Sequence, residues 1–503
     1  MRRLILCLTA ACAACSANTR SSSPPLVAIA PIVSDLSRSQ QIDHILNRLA
    51  YGPRPGDVER VRAMGVERWI GQQLSPERIK DSAADSAVAP YQTLATPTSE
   101  LTSMFREVRT ARLAKKDSSP AAAGVPAEVR RTLQLSLAEV SAAKLARAVS
   151  SDRQLYEQMV DFWENHFSVF AGKGQTRLFI PAYDRDVIRP FAMGKFRDLL
   201  GAVAKSPAML FYLDNAQSVA DSAHQTLAGS RRPRLARPVG SRPGLRPGSA
   251  IAPVIAARPP RGLNENYARE LMELHTLGVD GGYTQQDVIE VARALTGWSI
   301  DPREGAFVFR PAIHDADEKT VLGTRLSANR GIEDGEQVLD ILTRNPSTAK
   351  HITRKLVVRF VSDSPPPALV DRCANVFSKS DGDIRETLRC VVTSPEFFSK
   401  QAYRAKVKTP FELVASALRA TDASLDKTPR SVQIVARLGQ PIFGRQTPDG
   451  WPDRAEDWVN AGAMVNRVNF GLTLASGRMP GVNVGSIDPT VAASLSTPEF
   501  QRR

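Results

Sequence analysis

Apolar residues recur at three- and four-residue intervals along almost the whole chain, and that rhythm leaves little besides a helical protein. It runs through Gln41–Ala50 and resumes over Val58–Met64 after the punctuation Tyr51-Gly52-Pro53-Arg54-Pro55-Gly56. It then carries from Glu128 through Phe167 and from Tyr183 to Val203. Asn264–Leu277 repeats it and is stopped by Gly278. Thr284 and Asp287 open the next helix as a capping box does, and that helix runs to Thr296-Gly297-Trp298. Further helical patterns cover 348–361, 368–378, 383–392 and 409–420. Only Phe307–Leu322 reads as strand. The expected fold class is mainly α: a multi-helix globular domain with a small β-like segment near 305–323. No internal repeat divides it.

The ends and one interior stretch depart from this rhythm. Met1-Arg2-Arg3 and apolar Leu4–Ala14 form the charged and apolar regions of a secretory leader, too short to span a bilayer. Small residues before Cys12 and Cys15 resemble a bacterial lipoprotein cleavage site, although the usual Leu three positions upstream is missing. Lipidation at either cysteine and ordinary cleavage before Asn18 therefore both stay open. The expected organisation is a leader over 1–17, a tether over 18–38, one helical domain over 39–475 and a tail over 476–503. The expected address is export, to the periplasm, the outer membrane if lipidated, or the exterior.

Net charge is +14, which invites a nucleic-acid reading until the charge is located. Between Arg231 and Gly262 there are eight arginines, seven prolines, four glycines and no acidic residue, a composition that cannot form a regular element. A disordered basic insertion is expected over 219–262. Without its arginines the charge is about +6, and no aromatic interleaving suits base stacking. The arginines serve as a solvated loop or as a contact for anionic envelope polymer or lipid headgroups.

Outside the leader only Cys373 and Cys390 remain. Two helical patterns flank the turn Ser380-Asp381-Gly382-Asp383, and the midpoint of the two cysteines falls inside it. An antiparallel hairpin would bring them level, and export would let them oxidise. The alternative is a pair of small core residues.

Polar chemistry concentrates in Asn264-Glu265-Asn266-Tyr267-Ala268-Arg269-Glu270-Leu271-Met272-Glu273-Leu274-His275. At 100° per residue Asn266, Glu270 and Glu273 share a face, and two such carboxylates repel unless a cation or a shared proton joins them. Neither HExxH nor a ferritin-like ExxH spacing is present. Structural capping with ion pairing to Arg269 or Arg293 is one reading; a functional site is the other. His166, in an aromatic-rich turn, and His314-Asp315, after the strand-like segment, are the other candidates. With Glu270 and Glu273 they form a chemically sensible N and O ligand set for a divalent metal. Phosphate loops, nucleophile elbows and dinucleotide fingerprints are absent, and outside the leader so are CxxC pairs.

Several motifs together resemble one bacterial family, domain-of-unknown-function family 1800, collinearly over roughly residues 40 to 475. They are His44 with Asn47-Arg48 and Tyr51-Gly52-Pro53; Phe162-Trp163-Glu164-Asn165-His166-Phe167; Tyr212-Leu213-Asp214-Asn215; and the block from Asn264 to Gly278. Gly282-Tyr283-Thr284, Ala294-Leu295-Thr296-Gly297-Trp298, His314-Asp315, Lys319-Thr320, Ser394-Pro395-Glu396-Phe397 and Gly450-Trp451-Pro452 complete them. The resemblance implies an exported, mostly helical bacterial protein, whose relatives are often found alongside an exported sulfatase-like family. It implies no reaction.

Two functions are expected on these grounds. In the first, an envelope enzyme of hydrolytic type uses Glu270 or Glu273 as base or metal ligand. His166, His275 or His314 is then ligand or acid, and Arg269 orients an anionic group. Asn165, Asn264, Asn266, Asp315 and Trp298 hold structure or substrate. In the second, the polar motifs lock helices together in a non-catalytic binding or assembly protein.

Overall fold

The computed structural model describes residues 26–116, 125–228 and 262–503. The leader with Cys12 and Cys15, and residues 229–261 of the basic stretch, lie outside the described residues. Among the described residues the protein is mainly α, 57% helical with 20 α-helices and only short strand pairs. No helix among the described residues is long and apolar enough to cross a membrane.

Ten helices frame the core and its polar groups: α1 Arg38–Arg48, α2 Ala127–Ser150, α3 Gln154–His166, α4 Glu265–Met272, α5 Gln285–Ala294, α6 Pro346–Phe360, α7 Pro367–Lys379, α8 Ile384–Val392, α9 Pro410–Ala420 and α10 Ala461–Ala475. Their starts are set by side chains that satisfy the free N–H groups of a first turn. Ser37 with Gln40, Thr284 with Asp287 and Thr409 with Glu412 form reciprocal capping boxes on α1, α5 and α9. The apolar faces meet in one large core that includes Ile45, Trp69, Leu155, Trp163, Phe196, Leu271, Trp298, Leu356 and Leu388. A second cluster, with Leu145, Phe411, Leu418, Phe470 and Leu474, lies between α2, α9 and α10.

Several helical stretches are interrupted for local reasons. The periodicity from Glu128 to Phe167 breaks at Ser151–Arg153, where Asp81 binds the Ser151 hydroxyl at 2.6 Å and the Asp152 N–H at 2.8 Å. Pro190 and Gly194 divide the 183–203 stretch, whose continuous α-helix begins only at Phe196. The helix from Asn264 widens into a π-turn over Glu273–Leu277, where the Thr276 hydroxyl donates to Leu271 O at 2.7 Å. The strand-like stretch is two hairpins. β1 Trp298–Ile300 pairs antiparallel with β2 Phe307–Phe309, Pro311 ends the run, and β3 Lys319–Val321 pairs with β4 Thr324–Leu326.

Three expected boundaries move. Residues 26–38 of the tether lie along the body: Val27 N–H meets the Ser75 hydroxyl, the Ser34 hydroxyl donates to Phe398 O, and Leu36 is buried. Residues 219–228, expected inside the disordered insertion, pair with 313–316 through Ala220 N–Ile313 O, Leu227 N–His314 O and Ala316 N–Gln225 O. The expected tail returns to the domain. Arg503 N donates to Lys406 O, Lys408 N donates to Gln501 O, and both Gln501 and Arg503 are buried. The Cys373 and Cys390 sulfurs are 1.98 Å apart on α7 and α8, with Cα atoms 5.7 Å apart, as the hairpin spacing requires.

Candidate active site

α3 carries a polar stripe on a helix otherwise packed into the core. Gln158, Asp161, Glu164 and Asn165 fall at three- and four-residue spacing, so one face presents an amide, two carboxyls and a second amide. Two other helices supply cations to it. Lys144, from the Ala-rich α2, places its ammonium 2.7 Å from both Asp161 and Glu164. Arg359, from the last turn of α6, reaches Asp161 at 2.8 Å, Gln158 at 2.7 Å, Glu412 at 3.0 Å and Asp453 at 3.3 Å.

The roof is the irregular segment 441–453. Asn165 holds it like a backbone partner, its amide donating to Trp451 O at 2.8 Å and its carbonyl accepting from Trp451 N–H at 2.6 Å. Gly450 permits this closeness: its φ is +78°, and a Cβ there would stand 2.2 Å from Asn165 O. Ala171 N–H to Phe443 O and the Tyr212 hydroxyl to Gln446 O fasten the other end. Between stripe and roof is a polar cavity of about 40 Å³, lined among others by Lys144, Asp161, Glu164, Arg359, Trp451 and Asp453. It has room for about one or two waters, with charged and amide groups among apolar side chains in its lining.

The two carboxyls are driven apart by their surroundings. Burial raises the Asp161 pKa, but Lys144 and then Arg359 outweigh it and hold the carboxyl below its usual range. Burial pushes Glu164 up to about 8; Lys144 opposes this, and the charge of Asp184 behind it adds to the rise. Asp184 is itself kept ionised, since Arg189 at 2.9 Å and Arg147 at 3.5 Å outweigh its burial. At neutral pH the stripe therefore offers one carboxylate and one carboxylic acid around a single ammonium. That ammonium stays charged because its two partners outweigh burial.

The residues expected from sequence are only partly gathered here. Asn165 is in the site and His166 is next to it, with Nε2 3.1 Å from His275 O. The His275 and His351 rings lie 6.2 Å from that of His166. Glu270 on α4 and Glu273 at the start of the π-turn are half-buried. Burial and then Glu273 raise the Glu270 pKa, and Glu273 accepts from the Tyr283 hydroxyl at 3.1 Å. Arg269 donates to Gln285, not to a carboxylate. Asn264 caps α4 and donates to Leu213 O at 2.6 Å, and Asn266 is exposed.

His314, Asp315 and Trp298 belong to a separate buried group. His314 Nδ1 donates to Thr296 O at 2.7 Å with Nε2 3.4 Å from Asp334; Arg293 grips Asp315 at 2.8 Å; Trp298 packs against Gly335, where a Cβ would meet its ring at 2.2 Å. The expected metal set of His166, His275, His314, Glu270 and Glu273 is thus not assembled. Among the described residues, the set of three such side chains with ligand atoms within 4.8 Å of one another is His224, Asp315 and Asp317. Arg293 already occupies it, 2.8 Å from Asp315 and 3.3 Å from His224 Nδ1. Sequence reasoning missed Lys144, Asp161 and Arg359. Glu164 stood inside a quoted motif, and its spacing to Asp161 was the available signal.

Fold and site define a mainly helical protein with a carboxyl pair on one helix face, bridged by a lysine and roofed by a loop. Residues 44–502 match the family described as "Protein of unknown function (DUF1800)", nearly the whole chain, and the protein belongs to that family. No curated protein and no solved structure matches it.

Proposed function

We propose that the protein is an acid–base hydrolase of the bacterial cell envelope, with Asp161 as general base and Glu164 as general acid. The observation that carries this reading is the split pair: two carboxyls within 2.7 Å of one ammonium, one held ionised and one protonated to about pH 8, on a water-sized cavity. Environments that push two carboxyls apart are how one site runs acid and base steps at the same pH. Asp161 takes a proton from the attacking water in the cavity, Glu164 gives one to the leaving group as its bond breaks, and Lys144 holds both carboxyls in place. Export is part of the proposal, supported by the leader and by two body cysteines at bonding distance.

A panel of chromogenic esters, glycosides, phosphoesters and amides, run from pH 5 to 9 on the wild type, Asp161→Asn and Glu164→Gln, tests this. Each variant is expected to lose about 10²–10⁴-fold in turnover. Turnover unchanged in both variants, or no turnover of any class by the wild type, refutes the assignment.

A second reading has its own observation. Asp161, Arg359, Glu412 and Arg503 form one continuous buried ion chain at 2.8–3.0 Å, which would bind helices together without chemistry. Under that reading Asp161→Asn unfolds the protein instead of silencing it.

A further inference from the structure

His351, Lys355 and Arg359 succeed one another at four-residue spacing on α6, so they share a face about one turn apart. The Arg359 end closes on Asp161 and Asp453. The His351 end lies against His166, the residue after Asn165 on α3. Lys355 therefore stands between the acid–base pair and a group of three imidazoles. Other cations of the interior are either paired with a carboxylate or, like Arg48, Lys408 and Arg467, hydrogen-bonded to carbonyl, hydroxyl or amide oxygens. Lys144, Arg189, Arg293, Lys319 and Arg359 each have a carboxylate at 2.7–2.9 Å. Lys355 is half-buried and has no hydrogen bond or ion pair among the described residues. Asp449 and Asp453 act on it only from further off, and both are engaged already, by Arg445 and by Arg359.

Two of the imidazoles have spare hydrogen-bonding capacity. His166 and His351 place Nε2 against consecutive carbonyls of the π-turn, His275 O at 3.1 Å and Leu274 O at 3.3 Å. His166 Nδ1 and His275 Nε2 are buried without a partner. A half-buried ammonium with no hydrogen-bonding acceptor among the described residues, beside unpartnered ring nitrogens, is a place where an incoming oxyanion finds a free donor.

We propose that Lys355, with His166, His275 and His351 around it, seats an oxyanion group of the substrate (phosphate, sulfate or carboxylate) one helical turn from the Asp161–Glu164 pair. The word substrate rests on the hydrolase reading; the anion seat does not. Burial and then Lys355 hold His275 at about 3 and His351 at about 4, and lower His166 likewise. The rings are thus neutral until negative charge enters. An arriving anion offsets the Lys355 charge, the lesser of the two causes, and so raises the affinity of the rings for a proton.

The test needs no variant to begin. Acetic anhydride labelling of the wild-type chain, read by mass spectrometry, tracks Lys355 alongside exposed Lys350. Inorganic phosphate, sulfate or acetate at ten times its Kd is expected to slow labelling of Lys355 about tenfold and leave Lys350 unchanged. Calorimetry is expected to give a Kd of order 1 mM for at least one of the three, weakened tenfold or more in Lys355→Met and kept in Lys355→Arg. Phosphate or sulfate as the tightest ligand points to an ester of a tetrahedral oxyanion, acetate to a carboxylate. No protection of Lys355 by any of the three, or protection equal at Lys350, overturns the seat. Loss of turnover in Asp161→Asn without protection of Lys355 would leave the acid–base reading standing alone; protection without turnover would leave the seat alone.

Discussion

Replacing Glu164 by Gln removes the proton around which the site is arranged, and its effect on stability can be worked out beforehand. The folded-state pKa is raised, from about 4.5 in the unfolded chain to about 8. Between those values the native state holds one proton more than the unfolded state, so stability falls as pH rises. The contribution is fully present below pH 4.5 and is lost through pH 8. At about 1.4 kcal/mol per pH unit the window corresponds to roughly 3–5 kcal/mol. Glutamine keeps the shape and carries no proton to lose. Urea unfolding of both proteins at pH 5, 6, 7 and 8 isolates the effect, because other titrating groups cancel in the difference. The wild type is expected to lose stability relative to Glu164→Gln at each step upward, by about 1 kcal/mol or more per unit. Parallel curves would mean that Glu164 ionises at an ordinary pH in the native protein. The acid assignment would then fall with it.

Other perturbations read out separate parts of the argument. Cys373→Ser with Cys390→Ser opens the link between α7 and α8, which closes a 17-residue separation, and is expected to cost about 3 kcal/mol in chemical denaturation; reductant should produce the same loss in the wild type and none in the variant. Gly450→Ala puts a Cβ 2.2 Å from Asn165 O at a φ of +78°, so the roof must lift; faster proteolysis within 441–453 with a core Tm shift of only a few degrees is the expected result. Lys408, lowered to about 7 by burial, sits 2.7 Å from the Ser416 hydroxyl with Phe500 beneath it. Its depressed pKa means the folded chain binds fewer protons than the unfolded chain from about 7 up to the usual lysine value of 10.5, so stability from this group rises over that range. Lys408→Met should flatten that rise in melts from about pH 7 to 9.

Much of the architecture is legible in the chain because helix periodicity and capping are local. Ser37, Thr284 and Thr409 announce helix starts through neighbours three residues away, and the cysteine hairpin is implied by a turn at the midpoint of two helical patterns. The interruptions are less legible because their causes are distant in sequence. Ser151 stops a helix through Asp81, and the last residues return to the domain through Lys406 and Lys408, about a hundred positions away. Nothing in the composition of 476–503 marks it as part of the body. What pins it there is backbone pairing, the burial of Met479, Val482 and Leu495 in the second core cluster, and Arg503 against Glu412.

The site shows the same division more sharply. The densest polar block, from Asn264, drew the functional reading because density is what a sequence displays. In the folded chain several of those side chains hold backbone. Asn264 caps its helix, Tyr267 donates to Ala204 O at 2.7 Å, and Thr276 satisfies the carbonyl that the π-turn frees. A polar group that must be satisfied in the core looks the same in one dimension as a group poised for chemistry. What separates them is whether the environment leaves a carboxyl in an unusual protonation state beside open space. Lys144 decides that for Asp161 and Glu164, and it comes from an Ala-rich helix with no motif around it. A lone lysine in such a stretch carries no sign of function until the fold sets it between two acids. Its exchange for methionine is therefore the substitution that separates the two readings of α3. If the pair is catalytic, Lys144→Met lets the proton of Glu164 move to Asp161 and shifts the pH optimum. If the pair is only structural, the same change costs about 3–5 kcal/mol and no activity profile exists to shift.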